Sequence, residues 1–396
     1  MLKVGVIFGG ESVEHEVSII TAVQAMSYLD NKKYKVVPIY IGKNRKWYTG
    51  DCLKDMISYK SLEDIPSMTK EVTLTTKGDE FILQKKNGLF KGTLTTIDIA
   101  LPIVHGKGVE DGSLAGYLET IGIPFAGPNT LSASLGQDKV VQKEVLKSNG
   151  VNVTDYVWFF DHEYKLDEEG IINKIEKLKY PVIVKPARLG SSVGIEVAHD
   201  KKELISAISE AIKYDDKIIV EKVIPNLLEV DCAVVGNTED METSLIGEMF
   251  TSNDFLTFED KYTKGGGKKG AKANGKMSNA NFKIPAKLNK SIEEEIYSQA
   301  KLAFRALNLS GVTRFDFLVN KDTKEVYVNE PNTIPGCLAF FFFTPKGKTY
   351  TKLLDEMITY SIKDYKKKMK KVTSFDSNVL STYDGTKGKM GKMKMQ

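Results

Sequence analysis

The sequence predicts an α/β protein: an N-terminal parallel-sheet domain followed by two α+β units. Three observations predict it. Residues 2–8 are apolar and β-branched, Gly9-Gly10 follows, Val17, Ile20, Val23 and Met26 keep helical spacing, and residues 35–41 are strand-like again. That strand-turn-helix-strand order opens a doubly wound parallel sheet. A strand leads into a glycine-serine loop at 185–194, and acidic residues recur in a strand pair at 311–330. The 396 residues, at roughly 100–200 per domain, allow two or three domains.

The elements follow in order. Residues 97–104 read as a buried strand ending in His105-Gly106, 106–112 as a loop, 114–121 as a helix and 123–126 as a short strand. The first domain therefore ends near Pro128, spanning 1–128. Residues 131–148 read as one helix stopped by Asn149-Gly150. Strands at 156–160, 181–185 and 217–222 alternate with helices at 170–178 and 202–214, making a small unit over 129–224. The third unit, 225–372, carries strands at 229–235, 245–249, 311–319 and 325–330, an amphipathic helix at 291–307 and a final helix at 351–361. It also contains a long Gly- and Lys-rich loop near 253–281, a length that marks a functional or disordered segment. Residues 373–396 form a weakly ordered basic tail.

Composition excludes several classes. A net charge of +4 with 27% charged residues does not suggest nucleic-acid binding. Cys52, Cys232 and Cys337 form no CxxC, and their odd number argues against a disulfide framework or a zinc ribbon. A reducing cytoplasm fits. His15, His105, His162 and His199 form no HxxxH pair. The N-terminus lacks the basic flank of a signal peptide. No apolar run reaches the ~18 residues of a membrane span. Phe340–Phe343 is far shorter, and reads as a buried strand or pocket wall.

Four segments carry chemistry. In Lys185-Pro186-Ala187-Arg188-Leu189-Gly190-Ser191-Ser192-Val193-Gly194 a strand-terminal lysine precedes a loop whose amides can cradle phosphate. It is not a GxxxxGK[ST] loop, and a plain surface turn is the alternative. In the Arg314–Asn332 strand pair, Arg314 and Asp316 share a face; Glu330 and Asn332 do so if the chain stays extended past Pro331. Asp, Glu and Asn are hard oxygen donors suited to Mg²⁺, although charged residues on hairpins are common. Gly9–Ser18 places Glu14 at a helix N-terminus, where Ser12 capping explains the neighbouring acids equally well. His105–Gly112 is a glycine-rich loop at a strand's carboxyl end, where ligand crevices form; its histidine is as readily structural.

In this order, GVIFGGESVEHEVS, LPIVHGKGVEDGSLAGYLETIGIPFAGPN, DKVVQKEVLKSNGV, YPVIVKPARLGSSVGI, IIVEKVIP, RFDFLV and VYVNEPNTIPG resemble the D-alanine–D-alanine ligase family of the ATP-grasp superfamily. The likeness runs from residue 2 to about 361. It implies a three-domain ATP-grasp architecture with ATP held between the two α+β units. It also implies a cytoplasmic homodimer that makes D-alanyl-D-alanine for peptidoglycan precursors. The first D-alanine's carboxylate attacks the γ-phosphate of ATP, and the second substrate's amine attacks the acyl-phosphate. By position, Glu14 resembles the anchor of the first ammonium, with Ser191 and Tyr262 as its companions. Lys139, Lys185, Ser192, Glu221, Lys222, Ile224, Glu229 and Lys261 resemble the ATP site. Asp316, Glu330 and Asn332 resemble ligands of two Mg²⁺ ions, for which Mn²⁺ can substitute. Arg314 and the Gly336 backbone resemble stabilisers of the tetrahedral intermediate, and His105 a histidine near the reacting carboxylate.

The sequence also departs from the family pattern. After NTIPG the family carries a small polar stretch, with a serine and a leucine that receive the second substrate's carboxylate. Here Cys337-Leu338-Ala339 leads into Phe340–Phe343, and Phe341 takes the serine's place. A phenyl ring donates no hydrogen bond. Pro331 replaces a usual aliphatic residue, and the 253–281 stretch, which resembles the family's mobile ω-loop, is loaded with Gly and Lys. Tyr262, where ligases making D-alanyl-D-lactate carry histidine, argues against a depsipeptide product. Two other readings stay open here: a ligase with a different second amino acid, and a non-catalytic nucleotide-binding relative.

Overall fold

Leu2–Gly9 (β1) is buried from Val4 onward. Such a run, apolar on both faces, suits the middle of a covered parallel sheet. In the computed structural model, which describes residues 1–86, 92–249 and 282–374, β1 lies parallel between Tyr34–Ile41 (β2) and Ile99–Val104 (β7). Helix His15–Tyr28 connects β1 to β2 and buries Val17, Ile19, Val23 and Met26. The sheet is only partly parallel. Trp47–Thr49 (β3), Lys70–Lys77 (β4), Glu80–Lys85 (β5) and Thr93–Ile97 (β6) extend it as an antiparallel meander, giving the order β6-β5-β4-β3-β2-β1-β7. The meander's Thr- and Lys-rich strands are half exposed, so they lack the continuous apolar signal of β1.

The second sheet has the order β10-β9-β11-β8, built from Tyr156–Phe160 (β8), Val182–Pro186 (β9), Glu196–Ala198 (β10) and Lys217–Lys222 (β11). Helices Glu168–Glu176 and Lys201–Ala211 cover one face through Ile171, Ile175, Leu204 and Ile208. The stretch 131–148 is two helices rather than one: Thr130–Gln137 and Lys139–Ser148. Asp138 breaks it. Its carboxylate accepts from the amides of Val140 (3.0 Å) and Val141 (3.1 Å) and pairs with Lys217 at 2.9 Å. Capping from an extended residue starts a new helix.

The third sheet has the order β14-β13-β12-β15-β16: Leu227–Gly236 (β12), Met241–Met249 (β13), Phe282–Lys283 (β14), Gly311–Asn320 (β15) and Val326–Asn332 (β16). Helix Lys290–Ala306 packs on it with Ile292, Ile296, Ala303 and Phe304. The final helix, Tyr350–Lys368, is longer than expected and joins the first sheet's core through Leu353, Leu354 and Met357. Asp355 on that helix pairs with Lys33 at 2.9 Å. Among the described residues no helix is long and apolar enough to cross a membrane.

Candidate active site

One crevice of about 1190 Å³ is lined by every predicted site residue that the structure describes, from Glu14 and His105 to Lys139, Lys185, Arg314, Asp316 and Gly336. Lys261 and Tyr262 lie outside the described residues.

Glu14 immediately precedes helix His15–Tyr28, with its own amide donating to Ser12 Oγ at 3.1 Å. Ser191 Oγ donates to Glu14 Oε1, joining the first sheet's glycine turn to the loop after β9. Two glycines make room for that carboxylate. A Cβ on Gly106, whose φ is +81°, would stand 2.8 Å from Glu14 Oε2, and one on Gly190 would stand 3.1 Å away. Ser191 and Ser192 are both left-handed, with φ of 56° and 58°. Non-glycine residues hold that conformation where surroundings require it. His15, by contrast, is structural. It is fully buried between the Gly10 carbonyl (2.6 Å) and the Tyr40 hydroxyl (2.9 Å), and burial lowers its pKa.

Lys139 and Lys185 bring positive charge to the crevice from different elements. Lys139 Nζ donates to the Leu189 carbonyl at 2.9 Å and pairs with Glu330 at 3.1 Å. Burial works against its charge, yet Glu330 holds its pKa above the lysine range. Lys185 Nζ sits 3.2 Å from Glu221 and 3.4 Å from Asn329 Oδ1. Glu221 is only 1% exposed. It also pairs with fully buried Lys143 at 3.3 Å and accepts from Thr154 Oγ1 at 2.8 Å. Burial alone would raise its carboxyl; Lys143 and Lys185 outweigh this and hold it down to about 2. Its side chain thus holds Lys185 at the crevice wall. Ile224 is buried at the crevice wall, Lys222 is exposed and Glu229 is half-buried.

β15 and β16 pair with Asp316 opposite Glu330 and Arg314 opposite Asn332. The chain stays extended through Pro331, so the four side chains share one face, as expected. A bulge after Asp316 leaves Asn329 as the extra residue, facing Lys185. Arg314 grips Asp316 side-on, through Nε at 2.7 Å and Nη2 at 2.9 Å. Asn332 Nδ2 donates to Asp316 Oδ1 at 3.1 Å. Among the described residues no three His, Cys, Asp or Glu side chains gather as a metal cluster. The set here is two carboxylates and an amide, all oxygen donors of the kind that leaves Mg²⁺ positions for water and phosphate.

Among the crevice residues that escaped sequence reading as individuals are Glu110 and Asp231. The signal for Glu110 was an acid inside the glycine loop; for Asp231 it was an acid within an apolar strand. Glu110 accepts from the Gly106 amide (2.8 Å), the Thr333 hydroxyl (3.0 Å) and the Ile334 amide (3.2 Å), tying the 105–112 loop to the segment after β16. His105 lies beside this tie, and burial pulls its imidazole down to about 4. Burial, then the charge of Glu14, pushes the Glu110 carboxyl up to about 7. A folded-state value raised above the unfolded one gives stability that is fully present below the ordinary carboxylate range and lost as pH rises through about 7. Glu110→Gln, fixed in the neutral form, is expected to lose less stability than the wild type between about pH 5 and about pH 8. Thermal melts across that range check this, and parallel curves would contradict it.

Phe340–Phe343 is a single helical turn rather than a strand. Phe342 and Phe343 are fully buried, while Phe341 reaches the crevice with its ring 5.7 Å from that of Phe282. The turn is set by Cys337, Leu338 and Ala339, all left-handed with φ near 50°. Burial, the Cys337 amide on Thr21 Oγ1 (3.2 Å) and the Leu338 amide on the Pro335 carbonyl (2.8 Å) hold them there. The wall expected from sequence is present; its helical form follows from these three residues.

Two sheets facing one crevice, a Lys- and Ser-bearing loop on one and an acidic strand pair on the other, define an ATP-grasp enzyme of the carboxylate–amine ligase class. Two family models match, "D-ala D-ala ligase N-terminus" over residues 3–128 and "D-ala D-ala ligase C-terminus" over residues 145–359. The chain belongs to the D-alanine–D-alanine ligase family. It is 39% identical to the D-alanine–D-alanine ligase of Thermosipho melanesiensis over 381 residues, 96% of this chain and 98% of that one. Solved structures agree. The VanG D-Ala:D-Ser ligase from Enterococcus faecalis superposes with a TM-score of 0.75 at 30% identity, covering 91% of this chain and 99% of that one. The D-alanine–D-alanine ligase from Coxiella burnetii gives 0.77 at 28% identity, covering 93% and 96%.

Proposed function

We propose that the chain joins two D-alanines at the expense of ATP through an acyl-phosphate, supplying peptidoglycan precursors. The observation that carries this reading is the meeting of Glu14 with Ser191 at the mouth of a crevice lined by Lys139, Lys185 and Arg314. Glu14 offers a carboxylate for an ammonium group. Ser191 and Ser192 present a loop for phosphate, beside Lys185. Ile224, Glu221, Lys222 and Glu229 flank the nucleotide, with Glu229 on the ribose. Asp316, Glu330 and Asn332 would hold Mg²⁺, which when bound offsets the charge of the transferring phosphoryl group. Arg314 and the Gly336 amide then face the oxyanion of the tetrahedral intermediate. Neutral His105 stands near the reacting carboxylate, where a protonated imidazole would compete with Arg314 for it. Lys261 and Tyr262 would complete the site.

Residues 1–128, 129–224 and 225–372 are proposed as three domains because each contains one sheet. A homodimer working in the cytoplasm, where ATP is supplied, completes the reading. The test is purified protein with ATP, Mg²⁺ and D-alanine, scored by phosphate release and by dipeptide mass. Absence of dipeptide, with product from another amine, favours a second reading. That reading rests on Phe341, which lines the crevice where a hydroxyl was expected. A scan of amine acceptors, D-serine included, decides between them: strong preference for D-alanine in both positions removes the second.

A further inference from the structure

Asp231 sits on β12 directly opposite Asp316 on β15, and opposed side chains of an antiparallel pair share a face. Two carboxylates so placed repel one another unless a cation lies between them. That cation is Arg314, two residues from Asp316 on the same strand face. Its Nε lies 2.7 Å from Asp316 Oδ1 and 3.1 Å from Asp231 Oδ2, while Nη2 donates to Asp316 Oδ2 at 2.9 Å. An Nε carries one hydrogen, so the two acids compete for it, and Asp316 holds the better geometry.

The acids differ in depth. The Asp231 side chain is 2% exposed, that of Asp316 16%. Asp316 can turn its lone pairs to the crevice; Asp231 borders the crevice but offers it almost no surface. We propose that Asp231 is a positioning residue for Arg314, taking over the Nε–H when Asp316 is engaged by the divalent cation. Without it, Asp316 would have to serve as metal ligand and as counter-ion of Arg314 at once. With it, the guanidinium stays anchored through Nε while Asp316 turns to the cation. This rests on the assignment of Asp316 and Arg314 above.

The experiment compares Asp231→Asn with the wild type by Mn²⁺ binding, followed by electron paramagnetic resonance in the presence of ADP, and by steady-state kinetics. Removing the rival charge strengthens the Arg314–Asp316 pair. Mn²⁺ affinity is therefore expected to fall about tenfold and kcat about 10–100-fold, the range for second-layer partners of metal ligands. KM for ATP is expected to stay within about twofold. In an Arg314→Ala background, Asp231→Asn should add nothing further to kcat, because the residue acts through Arg314. Wild-type Mn²⁺ affinity and kcat in Asp231→Asn, or its full kinetic effect persisting without Arg314, would overturn the proposal. If Asp231→Asn melts early, Asp231→Ser gives the same comparison. Asp316→Asn separates the two levels: intact Mn²⁺ affinity in that variant would remove the metal assignment itself.

Discussion

Asp316→Asn is expected to lower kcat by about three orders of magnitude at saturating ATP and Mg²⁺, with little change in melting temperature. The substitution keeps the side chain's shape but removes its charge and one of its acceptors. Asp316 accepts from Arg314 twice and from Asn332 once, and it stands opposite Glu330 on the floor of the crevice. Loss of its charge weakens any divalent ion held between it and Glu330. It also removes the side-on grip on Arg314 and leaves the guanidinium to Asp231. Groups fixed in advance toward developing charge contribute about 10²–10³ in rate each, and two are disturbed at once. Stability is spared because Arg314 retains Asp231 at 3.1 Å. Single-turnover phosphate release with D-alanine, alongside a thermal melt, measures both. Turnover within about tenfold of the wild type would remove Asp316 from the proposed metal site.

Much of the geometry of the candidate site was legible in the sequence because it is local. Arg314 and Asp316 are two apart on one strand, and Glu330 and Asn332 two apart on the next, so strand periodicity alone put each pair on one face. The glycine-serine loop after a strand-terminal lysine was legible for the same reason. What sequence could not give was depth. Lys143 and Lys139 lie four apart on one helix, yet Lys139 lines the crevice while Lys143 is fully buried on Glu221. Asp231 looked like an interruption in an apolar strand, and only its register against β15 shows that it faces Arg314. The antiparallel meander between β2 and β7 was missed because its strands are half exposed and lack a continuous apolar run. The helical form of Phe340–Phe343 depends on three left-handed residues before it that carry no glycine to announce them.

Depth also sets the largest expected loss of stability. Glu221→Ala is expected to destabilise the fold by roughly 3–5 kcal/mol, the usual consequence of leaving buried charge without its partner. Lys143 is fully buried and Lys185 nearly so, and both close on this one carboxylate. Without it, two ammonium groups face each other in a poorly hydrated space, and the Thr154 hydroxyl loses its acceptor. The sign with pH follows from the depressed carboxyl. The wild type holds this contribution above the ordinary carboxylate range and loses it as pH falls toward about 2. Glu221→Gln has no such contribution to lose, so the two melting curves converge in acid. A double variant separates stability from binding. Glu221→Leu with Lys143→Met replaces one ion pair by apolar side chains of similar volume, an exchange that is often neutral. It should recover much of the melting temperature. It should not recover ATP affinity, because among the described residues Lys185 would keep only Asn329, at 3.4 Å, to aim it at a phosphate. Recovery of both would mean that Lys185 needs no positioning from Glu221. Calorimetric melts and ATP titrations on the single and double variants distinguish the outcomes.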